Sequence, residues 1–100
     1  MMVGGKRLCG KTTELIKRSH DEHLYIVCVD HGRVLNILRM AKELELDIPY
    51  PITVNELPIK SRYVHKVLID DIEEVLGRII GADIVMASTS KQLIEMESVK

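Results

Sequence analysis

The chain has 100 residues, 46% of them hydrophobic and 29% charged, which fits one globular domain and excludes a wholly disordered chain or a fibre. Aromatic residues make up only 3%, all of them Tyr, so the core has to be built from Ile, Leu, Val and Met. The net charge of −1 argues against a surface given over uniformly to phosphate binding, though it leaves room for a local basic patch.

Strand-like and helix-like patterns alternate from end to end, which predicts a single α/β domain over residues 1–100 with a largely parallel sheet. Met1 to Gly4 reads as a very short first strand. Lys11 to His20 reads as a helix, with Leu15 and Ile16 on one side and Lys17 and Arg18 on the other. Leu24 to Val29 is a continuous apolar run suited to a strand covered on both faces. Asp30 then caps a second helix whose apolar stripe is Val34, Leu35, Leu38, Ala41 and Leu44.

Pro49 and Pro51 stop that helix and lead into Ile52-Thr53-Val54, an edge strand or a turn. Pro58 to Lys66 reads as a loop, and Val67 to Ile69 as a buried strand closed by Asp70 and Asp71. Ile72, Val75, Leu76, Ile79 and Ile80 form the stripe of a third helix that Gly81 can end in a left-handed cap. Ala82 to Ala87 gives one more strand. Ser88, Thr89 or Ser90 then caps a last helix carrying Leu93 and Ile94.

No apolar run approaches the roughly 18–20 residues that span a bilayer, and Met1-Met2-Val3 is too short for a signal peptide. Cys9 and Cys28 lack zinc or redox spacing and read as reduced thiols, so the expected compartment is the cytoplasm. The four histidines, His20, His23, His31 and His65, have no metal-ligand spacing, and no zinc site is expected.

The sharpest signal is Gly5-Lys6-Arg7-Leu8-Cys9-Gly10-Lys11-Thr12, a full match to G-x-x-x-x-G-K-[ST]. Gly5 and Gly10 would let successive N–H groups turn inward around a phosphate. Lys11 would reach the β- and γ-phosphates as a compact charge, and the Thr12 hydroxyl would ligate Mg²⁺. The helix that starts there would aim its N–H groups and dipole at the same anion. A glycine turn before an ordinary basic helix is the plain alternative.

A second half of the site is Val67-Leu68-Ile69-Asp70-Asp71, an apolar strand ending in paired carboxylates. An acid there lies at the carboxyl end of a parallel strand, where open α/β sheets bind ligands. Asp70 would hold Mg²⁺, mostly through water, and Asp71 would orient or activate the attacking water. The plain alternative makes Asp71 the cap of the following helix.

These segments resemble those of a P-loop NTPase: Gly5 to Thr12 matches the Walker A motif and Val67 to Asp71 resembles Walker B. Order and spacing resemble the additional-strand group, which includes helicases and AAA-type and RecA-type ATPases. The chain is also similar to small ATP-binding proteins of bacteriophages, which implies the host cytoplasm. The resemblance implies a minimal three-layer P-loop core with about four parallel strands in the chain order 1-4-3-2, the family's last strand missing. It implies Mg²⁺ and ATP as cofactors, and Gly5, Lys6, Arg7, Leu8, Cys9, Gly10, Lys11, Thr12 and Thr13 as the nucleotide-binding segment. Lys11 and Asp71 would be the catalytic residues, Thr12 and Asp70 the metal ligands, and Ser88 (or Thr89) the sensor of the γ-phosphate. Asp71 stands where the family usually has Glu, which implies weak or partner-dependent hydrolysis.

Two other classes stay open. A nucleotide-dependent binding module would dock on a replication or host protein without turnover. A nucleoside kinase is suggested by Gly10 to Ile16, which resembles the loop and helix of thymidine kinases, although no zinc-binding cysteine cluster or lid follows. Lys60, Arg62, His65 and Lys66 surround Tyr63, a pattern suited to stacking on nucleic acid or to a solvated loop. Arg33, Arg39, Arg62 and Arg78 are candidates for an arginine finger acting on a neighbour's nucleotide, or ordinary surface arginines. An exposed first strand would be relieved by pairing with a second subunit.

Overall fold

The run Leu24–Val29 carries no charged side chain, and a strand of that kind is stable only with both faces covered. In the computed structural model, which describes residues 6–88, Tyr25–Cys28 forms strand β1. Ile26, Val27, Cys28 and Val29 are each at most 3% exposed. Alternation along the strand divides the core in two. Ile26 and Cys28 cluster with Ile16, Val34, Ile37 and Ala41, whereas Val27 and Val29 cluster with Val75.

Helices α1 (Lys6–Glu22) and α2 (His31–Glu43) therefore cover one face, and α3 (Ile72–Ile80) covers the other. Ile52, Val54, Leu57 and Val67 complete that second layer. Strands β2 (Ile52–Thr53) and β3 (Val67–Ile69) flank β1, both parallel to it, in the order β2-β1-β3. Val27 and Cys28 stand opposite Ile52 and Thr53, while Tyr25, Ile26 and Val27 stand opposite Val67, Leu68 and Ile69. The protein is thus a small α/β domain with a parallel sheet.

Local chemistry sets the ends of these elements. After α1, the buried Ser19 hydroxyl donates to the Leu24 carbonyl at 2.6 Å, and the chain reverses through His23 at φ +56°. The Asp30 carboxylate caps α2 by accepting from the Arg33 N–H at 3.0 Å. Helix α2 ends with Glu45 left-handed at φ +58°, its N–H bonded to the Lys42 carbonyl and that of Leu46 to the Ala41 carbonyl. That paired closure usually takes glycine. His20 Nδ1 donates to the Asp47 carbonyl at 2.8 Å, tying the end of α1 to the segment after α2. A carbonyl only accepts, so the proton sits on Nδ1. Gly81, at φ +86°, ends α3 as its sequence position predicts.

The sheet departs from the expected order 1-4-3-2 in two places. Ile52–Thr53, absent from that order, pairs with β1 along one edge. Ala82 to Ala87 forms no strand. The first residues after α3 turn back beside that helix instead. Ala82, Asp83 and Ile84 line an open cleft of about 620 Å³ with Glu74, Gly77 and Arg78, and Val85 and Met86 are 94% and 88% exposed. Met1 to Gly4 and the last helix lie outside the described residues. No described helix is long and apolar enough to cross a membrane.

Because Ile26 touches the core on the central strand, Ile26→Ala should lower the free energy of unfolding in urea by about 2–5 kcal/mol. Leu35→Ala, on the exposed side of α2, should change it by no more than about 0.5 kcal/mol.

Candidate functional site

Parallel strands carry their C-terminal ends to one edge of the sheet, and the chain leaves β1 and β3 there into α2 and α3. The Asp70 N–H bonds the Val27 carbonyl at 2.9 Å, so Asp70 extends the ladder one residue beyond β3. Its side chain is buried, with 5% of the residue exposed. From above, α1 brings Thr12, also buried, and the Thr12 hydroxyl points at Asp70 Oδ1 across 3.5 Å. That distance is the outer limit of a hydrogen bond and contributes little by itself.

The second carboxylate oxygen has a stronger partner. One guanidinium nitrogen of Arg33 donates to Asp70 Oδ2 at 2.8 Å, and the other donates to Glu74 Oε1 at 2.9 Å. Burial works against the charge on Arg33, but the hydrogen bond and charge of Asp70, with Glu74 and Asp71, more than offset it and raise its pKa. Arg33 was expected as a finger toward a neighbour or as a surface arginine; it instead turns into its own domain. The acids at this edge also act on Cys28. Burial, followed by the charge of Asp70, pushes its thiol up to about 11, so Cys28 is a neutral core side chain.

The predicted site residues are only partly assembled. Lys6, Arg7, Leu8, Cys9 and Gly10, expected in a phosphate loop, belong to the first turns of α1, and the helix continues through Lys11, Thr12 and Thr13. Lys, Arg and Leu are good helix formers, and a nucleated helix extends backward at one hydrogen bond per residue. Gly10 does not take a left-handed conformation, and a Cβ added there would meet nothing within 4 Å. Gly5 lies outside the described residues. Lys11 is exposed on α1, one residue before Thr12.

Asp71 stands next to Asp70 but has a structural task. It is left-handed at φ +63°, and its Oδ1 accepts from the Glu74 N–H at 3.2 Å as the cap of α3. Ser88 does not end a strand; it is exposed in an irregular segment. Lys60, Arg62, Tyr63, His65 and Lys66 lie exposed on the loop before β3. The cleft beside α3 is rimmed by Asp71, Glu73, Glu74 and Asp83, a charge that repels phosphate.

The sequence did not place Arg33, a finger candidate, or Glu74, which carried no motif, beside Asp70. Each is the third residue of a helix that follows one of two adjacent parallel strands, so strand pairing was the signal that could have joined them. Among the described residues no group of three or more His, Cys, Asp or Glu could hold a metal ion. Thr12 and Asp70 do suit Mg²⁺, which takes hard oxygen ligands and commonly uses one or two protein groups besides phosphate and water. Comparisons with protein-family models, curated proteins and solved structures find no match to the chain.

The raised Cys28 pKa has a defined sign. The folded state holds the proton more tightly, so its stabilising effect is complete below the unfolded thiol's pKa near 9 and is lost as pH rises toward 11. Urea melts between pH 8 and 11 should show this fall, and Cys28→Val should make it shallower. An equal slope in both proteins would contradict the assignment.

Proposed function

We propose that the chain binds a nucleoside triphosphate, ATP by resemblance, together with Mg²⁺ at the N-terminal part of α1. Hydrolysis of the β–γ bond would be weak or dependent on a partner. The observation that carries this reading is the meeting of Thr12 and Asp70, 58 positions apart in sequence, as two buried oxygen groups at the C-terminal edge of a parallel sheet. Thr12 and Asp70 would hold Mg²⁺, which supplies charge stabilisation to the phosphates. Lys11 would supply the positive charge that meets the phosphates.

Binding in this mode requires Lys6 to Gly10 to leave the helix and wrap the phosphate. Gly10 makes that inexpensive, since glycine supports a helix less well than alanine by about 1 kcal/mol. The dual demand gives a sharp test. Gly10→Ala should raise the thermal midpoint of the free protein and lose nucleotide binding, because Ala favours the helix and resists the loop. A variant that keeps both stability and binding would contradict the loop.

A binding module without turnover is favoured by one observation, the use of the Asp71 carboxylate as a helix cap. Asp71→Asn separates the readings, since Asn caps helices and tolerates a left-handed backbone equally well. If the chain is an NTPase, this variant should bind nucleotide normally and release phosphate more slowly than wild type.

The first measurement is thermal unfolding with Mg²⁺-ATP, a non-hydrolysable analogue and Lys11→Ala. Nucleotide at 100 times its Kd adds about 2.7 kcal/mol, a rise of about 10–20 °C for a domain of this size. The rise should disappear in Lys11→Ala. No rise in wild type at millimolar nucleotide would refute the proposal.

A further inference from the structure

We propose that Arg33 and Glu74 are a positioning pair for the Asp70 carboxylate: Arg33 fixes its orientation, and Glu74 keeps the cluster anionic enough to accept a divalent cation. The proposal rests on the part of the reading above that makes Thr12 and Asp70 the cation ligands.

Orientation comes first. A carboxylate has two oxygens, and here they are divided, Oδ1 toward Thr12 and Oδ2 to Arg33. The ion pair on Oδ2 prevents rotation that would take Oδ1 away from Thr12. Arg33 is itself held at two further points, by Glu74 on its other guanidinium nitrogen and by the Asp30 carboxylate on its backbone N–H. The planar fork suits this bridge, since one lysine ammonium cannot present two fixed donors to two carboxylates. Groups that hold a metal ligand through its far atom commonly govern metal affinity as strongly as 10–100-fold.

Charge comes second. An arginine this close to a metal ligand repels a cation, and arginine does not deprotonate. Glu74 removes that obstacle. Asp70 and Arg33 alone sum to zero, whereas adding Glu74 leaves one net negative charge, with Asp30 and Asp71 close by in sequence. The pair thus separates two tasks, geometry from Arg33 and charge from Glu74.

Calorimetric titration of the full chain with ATP, in excess Mg²⁺ and again in EDTA, tests this on Arg33→Gln, Arg33→Lys and Glu74→Gln, with melts to confirm folding. Arg33→Gln should lower the Mg²⁺-dependent gain in affinity about 10–100-fold, and Arg33→Lys should restore only part of it. Glu74→Gln should weaken Mg²⁺-ATP yet leave unchanged or strengthen metal-free ATP, because a negative charge near the phosphates is gone. A merely structural role would move both affinities the same way.

A gain within twofold of wild type in both Arg33→Gln and Glu74→Gln would overturn the pair and leave the nucleotide reading standing. Spin-resonance titration with Mn²⁺ alone covers the converse case. If wild type binds no ATP but takes up Mn²⁺, and Arg33→Gln takes up less, the nucleotide reading falls and the pair stands. No binding of either ligand refutes both.

Discussion

A strand covered on both faces has no room for charge along its length, so polar groups concentrate where it ends. β1 imposes this constraint: Ile26 and Cys28 are committed to one helical layer, Val27 and Val29 to the other. The acids Asp30 and Asp70 stand immediately beyond the apolar segments of β1 and β3. Because the two strands are parallel, those positions fall on one edge of the sheet. The candidate site therefore follows from the way the core is filled, before any ligand is considered.

At that edge a buried carboxylate has to be paired, since an unpartnered one would cost several kcal/mol or take up a proton. Arg33 supplies the counter-charge from the first turn of α2, and Glu74 shares it from the first turn of α3. The helix caps are part of the same construction. Asp30 fixes the turn that carries Arg33, and Asp71 fixes the turn that carries Glu74. A helix cap, an ion pair and a candidate metal ligand thus depend on one another within a few residues.

Much of the fold was legible in the sequence. The apolar run Leu24–Val29, the cap at Asp30 and the left-handed Gly81 all follow from periodicity and turn chemistry, which act within a few residues. Of the predicted α3 stripe, by contrast, only Val75 is buried, and Ile79 and Ile80 are exposed. Ala82 to Ala87 misled for a related reason: its composition suits a strand, but a strand exists only when it pairs with a neighbour. Here Ala82 to Ile84 line a cleft with α3 while Val85 and Met86 stay exposed. At Ile52–Thr53 the sequence left an edge strand or a turn open, and pairing with β1 decided for the strand. In the candidate site, Thr12 and Asp70 were legible as motif residues. Arg33 stood out only as a candidate finger or surface arginine, and Glu74 carried no motif signal, because its partner comes from a neighbouring strand's helix.

By itself the sequence determined the α/β alternation, the apolar segments of β1 and β3, and the Asp30 cap that starts α2. Each of these is governed by local spacing or by the chemistry of one side chain. Tertiary structure alone decided that Thr12 faces Asp70, that Arg33 bridges Asp70 and Glu74, and that Lys6 to Gly10 continue α1. Those outcomes depend on which strands pair and on the balance between helix extension and an alternative loop, quantities that no short window of sequence contains.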